Sequence, residues 1–292
     1  MPAGIDARRL VPRLRWGLGT LARTRSTHVR ATSDIYARGA ELSARHPGLL
    51  DAGGDLHPRA FGVDSLRAYE LRVTSQNGED GVLAEILARV GVGPRFVVEF
   101  GAGDGSETTT GFLTDWCGWS GVLIEIDAFE ASRLARKHQH EPHVVTHHAQ
   151  VTEENLEPLL AGLGVPADLD VLSIDIDSVD YWIWRSIRVL RPRVVVIEYN
   201  STLPAGRSIT VPRDQASGVN PATDRYGASL DALVQLGASK GYVLVHTELA
   251  GVNAFFVRDD LAGAVRAGTA RRAGPNHFLG SDGPLATYDG GE

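Results

Sequence analysis

Seven short apolar runs, separated by stretches of helical periodicity, constrain the fold of this chain more than any other feature. The runs occupy residues 96–100, 121–126, 144–146, 171–174, 194–199, 242–246 and 254–257. Between them, apolar spacing predicts helices over 80–90, 106–116, 128–138, 153–162, 180–190 and 229–240. Continuous apolar strands that alternate with helices bury both faces of a parallel sheet. The last two runs are joined only by residues 247–253, too few for a helical crossover, so they are expected to form an antiparallel hairpin. The expectation is an α/β chain with a mostly parallel seven-stranded sheet that ends in that hairpin.

Composition narrows the class. Of 292 residues, 43% are apolar and 22% charged, which is ordinary for a globular protein. A single cysteine, Cys117, excludes an internal disulfide and fits a reducing cytoplasm. No apolar stretch approaches the roughly 18 residues that a membrane span requires. Residues 1–50 carry a local charge of +6 and the remainder −13, so the acidic body argues against nucleic-acid binding.

The most informative segment is Val97-Val98-Glu99-Phe100-Gly101-Ala102-Gly103-Asp104-Gly105. An apolar strand runs into three alternating glycines, and Ser106 and Glu107 are expected to open a helix. Glycines let a backbone turn sharply and lie against a ligand that a β-carbon would push away. In open α/β sheets, ligands sit at the carboxyl ends of the strands, where this turn falls. A dinucleotide fingerprint would want a glycine where Ser106 stands. The spacing instead resembles motif I of class I methyltransferases, which use S-adenosylmethionine (SAM) and build a Rossmann-like sheet with an antiparallel C-terminal hairpin.

That resemblance implies that Glu99, Gly101, Gly103 and Asp104 border the methionine part of SAM. It implies that Glu125, ending the second strand, receives the ribose hydroxyls, and that Gln150 and Val151 flank the adenine. A carboxylate suits the ribose because it accepts two hydrogen bonds.

Acids also crowd the next two strand ends. Asp175, Asp177 and Asp180 follow the fourth, and Glu198 and Asn200 end the fifth. In a parallel sheet these tips share the rim with the glycine turn. Hard oxygen ligands so placed suit Mg²⁺. Asp175 and Asp177 are the candidate catalytic residues, and Asp175, Glu198 and Asn200 the candidate metal ligands. The pattern is similar to metal-dependent O-methyltransferases of the catechol and macrocin types. It departs from them at Ser178, where the catechol type has a base, and at Tyr199, where the macrocin type has a second acid. The plainer alternative is that Asp175 meets the SAM amino group while Asp177 and Asp180 cap the next helix. Together with Ser75-Gln76-Asn77-Gly78-Glu79-Asp80, the 170–200 region also resembles FkbM-type methyltransferases. Over residues 75–260 this implies O-methylation of a sugar, polysaccharide or hydroxylated natural product. Glu79 and Asp80 are read as helix-start acids.

The expected domains are an arginine-rich helical extension and linker over 1–74, a SAM-binding unit over 75–262 and a loose tail over 263–292. Leu10, Leu14, Trp16, Leu18 and Leu21 give no clean apolar stripe. The extension is expected to pack on the body or on a second subunit, in a homo-oligomer; the competing reading is a peripheral membrane helix. His138, His140, His143, His147 and His148 lack the spacing of a zinc site, and Cys117 reads as a packing residue. His246 reads as a core or hairpin residue, with a general-base role as its alternative. Residues 201–227, which include Arg207, Arg213, Asp224 and Arg225, read as a substrate-covering loop. Two alternatives to the enzyme stand beside it: a non-catalytic SAM-binding relative in a biosynthetic assembly, and a nucleotide-dependent enzyme of another class.

Overall fold

The computed structural model describes residues 27–49, 66–214 and 226–263, the side chains of 27–34 excepted. Expectations for 1–26, for 50–65 with its linker, for Asp224 and Arg225, and for the tail beyond 263 lie outside these residues. The chain forms helix α1 (Thr27–Arg45), α2 (Glu79–Val90), strand β1 (Phe96–Phe100), a π-helical turn (Phe112–Trp116) and β2 (Ser120–Glu125). Then follow α3 (Ala128–His138), β3 (Val144–His148), α4 (Leu156–Gly162), β4 (Val171–Ile174), α5 (Asp180–Ser186) and β5 (Val194–Glu198). The last elements are α6 (Leu230–Ser239), β6 (Tyr242–Thr247), β7 (Asn253–Arg258) and α7 (Asp259–Ala262).

The seven strands form one Rossmann-like sheet in the order β3-β2-β1-β4-β5-β7-β6. Strands β1 to β5 pair in parallel, β7 runs antiparallel beside β5, and β6 closes the hairpin with a bulge between Leu244 and His246. Side chains alternate across the sheet, and both faces are covered. Val97, Val171, Val194, Val196, Phe255 and Val257 pack toward α2. On the other face Val98, Leu172, Ile174, Val195 and Ile197 join Trp184 and Leu233 of α5 and α6. The chain crosses from β3 back to β4 on the far side of β1, so the order reverses between β1 and β4. Such a switch point leaves a crevice above the strand tips, the preferred ligand position of open sheets.

The expected helix over 106–116 is replaced. Residues 106–110 form turns, and only the π turn follows. Thr108, Thr109 and Thr110 are β-branched and Gly111 is flexible, a poor helix-forming run. The Glu99 carboxylate takes the amides of Thr109 and Thr110, which settles the backbone in that turn. Helix α4 begins later than expected, where Thr152 and Asn155 cap each other's amides. Helix α5 ends at Ser186, because Ile187 leaves the helical region at ψ 124°.

Helix α1 lies against the body. Tyr36 meets the Trp116 ring edge-on at 5.4 Å, Trp119 Nε1 donates to the Leu49 carbonyl at 2.9 Å, and Leu42 is buried. No described helix is long and apolar enough to cross a membrane.

Candidate active site

The three glycines of the turn have different physical reasons to be glycine. All have positive φ (77°, 53° and 80°). At Gly101 a β-carbon would overlap the Asp175 carbonyl oxygen, so this residue is small because β1 and β4 close on each other at the switch point. At Gly105 a β-carbon would sit 2.8 Å from Leu134 Cδ1 on α3. At Gly103 it would meet nothing within 4 Å. Gly103 therefore faces open space, cradled by the turn.

Glu125 stands at the tip of β2, buried, and ties the cradle together. Its Oε2 accepts from the Gly103 amide and its Oε1 from the Asp127 amide, each at 2.7 Å. Each carboxylate oxygen keeps a further acceptor direction for a ligand hydroxyl. Asp127 caps α3 through the amides of Phe129 and Glu130. Asp104 pairs with Arg133 at 2.5 Å and accepts from the Ser106 amide. Against the upward pull of burial, those hydrogen bonds and the Arg133 charge hold its carboxyl below the usual range.

Glu99 lies beneath this cradle. It is buried, and its oxygens accept from the amides of Thr109 and Thr110 and from Thr110 Oγ1. Its carboxylate shapes the turn that follows β1. Gln150 is exposed just past β3, where its carbonyl accepts from Asn155 Nδ2.

Across the crevice, Asp175, Asp177 and Glu198 come together: one oxygen of each lies within 4.8 Å of the others. Burial, then the charges of Asp180, Asp177, Glu99 and Glu79, push the Asp175 carboxyl well above its ordinary value. Burial, then Asp175, Asp180 and Asp177, does the same to Glu198. Asp177 is raised by burial and by Glu125, so the cradle and the acid group feel each other. Asp177 also holds a left-handed φ of 57°, a conformation non-glycine residues seldom adopt. Glu198 Oε2 is buried and has no hydrogen-bond partner among the described residues. A buried oxygen without a donor is costly and fits a site that takes a proton or a cation. Among the described residues this is the one group suited to a metal ion.

Asn200, expected as a metal ligand, is turned elsewhere. Its Oδ1 accepts from the Thr202 amide and hydroxyl, and its Nδ2 donates to the Tyr226 carbonyl. It pins the loop after β5, and Asp177 stands in the carboxylate group in its place. Asp180 folds back onto the amides of Ile176 and Ser178. Burial outweighs those bonds and pushes its carboxyl up to about 6.

Two further acids are buried near these tips, Glu79 from the start of α2 and Glu248, which sequence reasoning did not single out. Glu79 does begin α2, but it is buried and accepts from Asn253 Nδ2 at 3.0 Å. Asn253 is the register partner of Glu198. The signal was present in the Ser75–Asp80 segment; only the hairpin contact reveals its use. Glu248 is fully buried and accepts the amides of Gly251, Val252 and Asn253.

Several of the remaining candidates have partners within the fold. Burial pushes His138 down to about 4, while His143 and His148 bond the carbonyls of Thr114 and Ile126. His246 pairs with Glu70 at 3.0 Å. In the loop after β5, Arg213 pairs with Glu153, and the Val211 carbonyl takes the Trp182 indole N–H.

The sequence matches no protein-family model and no curated protein. Solved structures similar to the fold include the N-terminal domain of EvdMO1 with SAH bound, at 16% identity over 75% of this chain and 94% of that one, with a TM-score of 0.42. They also include CurJ carbon methyltransferase, at 13% identity over 87% of this chain and 80% of that one, TM-score 0.41. A geranyl diphosphate methyltransferase in complex with SAM follows, at 13% identity over 70% and 100%, TM-score 0.38.

Proposed function

We propose that this chain is a SAM-dependent methyltransferase acting on a hydroxyl of a small-molecule or glycan acceptor. The observation that carries the reading is the open cradle at Gly103, set at the switch point of the sheet, with the Glu125 carboxylate bonded to its amide. Bound there, SAM supplies a methyl group activated by its sulfonium charge. Gly103 lets the backbone approach the ligand. The unused acceptor directions of Glu125 receive the two ribose hydroxyls, and Gln150 and Val151 border the adenine side. Asp175 and Asp177 face the acceptor. Their raised affinity for protons suits the group that takes the hydroxyl proton as the new C–O bond forms. Positioning does most of the remaining work.

Titration calorimetry with SAM and S-adenosylhomocysteine tests this. The wild-type chain binds both, and Glu125→Ala weakens binding by about 2 kcal/mol, the scale of lost charge-assisted hydrogen bonds. A folded wild-type protein that binds neither removes the reading.

The buried orphan oxygen of Glu198 favours a metal-assisted form of the same reaction. Asp175, Asp177 and Glu198 would hold Mg²⁺, which lowers the pKa of an acceptor hydroxyl. Mg²⁺ titration of the cofactor-free protein should give saturable heat that Glu198→Gln abolishes and Asn200→Ala spares. No heat with wild type leaves the acids as proton acceptors alone. The reading extends to a cytoplasmic homo-oligomer serving polysaccharide or natural-product assembly.

A further inference from the structure

Each residue of the glycine turn from 103 to 105 is tied by another side chain, and two of the three ties come from one face of α3, outside the cradle. The Gly103 amide is held by Glu125. Asp104 is held by Arg133 at 2.5 Å. The Gly105 carbonyl accepts from Lys137 Nζ, which also lies 2.7 Å from Asp115 in the π turn. Arg133 and Lys137 are four residues apart, so they stand on the same helical face. The fit is close: a β-carbon at Gly105 would come within 3.0 Å of Lys137 Cδ. Lysine occurs at only two positions of this arginine-rich chain. A compact ammonium on a thin stem suits this contact better than a broad guanidinium fork.

We propose that Arg133 and Lys137 are positioning residues that hold residues 103–105 in the shape that receives the adenosyl ligand. The inference rests on the SAM reading above. Neither side chain needs to touch the ligand. A glycine-rich turn has many accessible conformations, and two cations that anchor its outer side remove the ordering cost that binding would otherwise carry. The Lys137–Asp115 pair also ties the glycine turn to the π turn that follows it in the chain.

Calorimetric titration of the full chain with S-adenosylhomocysteine tests the idea on Lys137→Met and Arg133→Met. Met keeps the apolar stem and removes the charge. Lys137→Met should raise Kd about tenfold, the effect of losing one charged hydrogen bond. Arg133→Met should raise it about threefold, since that pair is half exposed. Amide exchange at Gly103 and Gly105 in the ligand-free protein should accelerate in both variants. If the residues only brace the fold, the melting temperature falls while Kd and those amides stay unchanged. Wild type that binds, with folded variants that bind within about twofold of it, overturns the proposal. Should Lys137→Met not fold, Arg133→Met at the half-exposed site decides alone. A wild type that does not bind overturns the SAM reading instead, so the two failures are told apart.

Discussion

Gly101 and Gly103 are two residues apart with similar backbones, yet substitution should separate them. At Gly101 an alanine β-carbon would collide with the Asp175 carbonyl, backbone just past the tip of β4 that the Phe100 carbonyl holds in place, so it cannot yield cheaply. At Gly103 the same atom enters empty space, leaving only the cost of a left-handed alanine, about 1 kcal/mol. Chemical denaturation should therefore show Gly101→Ala destabilised by at least about 3 kcal/mol and Gly103→Ala by about 1 kcal/mol. The order reverses for the ligand: folded Gly103→Ala should lose at least about tenfold in affinity for S-adenosylhomocysteine, because its methyl fills the cradle. Equal stability losses at the two positions would contradict the assignment. The spacing Gly-x-Gly-x-Gly located the turn from sequence, but it gave no means of distinguishing these roles. That distinction depends on where β4 and α3 approach, which is long-range packing. The same limit explains Asn200. Its place at a strand tip predicted a ligand, whereas Thr202 and Tyr226 offer it local partners that an amide satisfies better than a carboxylate.

At the scale of elements, legibility followed burial. Six of the seven strands were visible because each carries a buried, nearly continuous apolar run; the edge strand β3, Val-Val-Thr-His-His with Val145 exposed, gave only the short run at 144–146. Their ends shifted by two residues at most; Ile126 falls outside β2 because it turns into solvent. Helix α3 matched its expected range, with Asp127 as an explicit cap and basic residues in its last turn. The segment 106–116 failed for a reason that local periodicity does not carry. A buried glutamate on β1 captures its amides, and three consecutive threonines favour the turn. The insertion of β7 between β5 and β6 was equally illegible, since the short 247–253 connection demanded a hairpin but not which strand of it meets β5. That choice brings Asn253 beside Glu198 and lets Glu79 reach the acid group, so an element-level fact supplies part of the site.

For the molecule as a whole, the decisive quantity is the number of carboxyls buried near the strand tips with few cations to match them. Burial raises Asp80, Glu99, Asp175, Asp180, Glu198 and Glu248 together. Glu248 is the useful probe because it lies off the proposed site, in the β6–β7 connection. Burial, reinforced by the Glu79 charge, outweighs three backbone N–H bonds and moves it from 4.5 up to about 7. Between those values the folded protein holds a proton that the unfolded chain has released. Stability therefore falls as pH rises through this window; below about 4.5 and above about 7 this group adds no slope. The shift corresponds to about 3 kcal/mol for Glu248 alone. Asp104 and Asp115, whose carboxyls are lowered, act with the opposite sign at more acidic pH. Neutral His138, pushed down to about 4, opposes the trend between about 4 and 6.5, while the raised Asp175, Asp180 and Glu198 act with Glu248 and outnumber it. Urea denaturation should thus find the wild type more stable at pH 5 than at pH 7.5. Glu248→Gln, neutral at both, should lose much less between them. An unchanged slope in that variant would mean that its three amide donors keep Glu248 ionised after all. The remaining slope would then belong to the acids of the crevice, where a bound cation should flatten it.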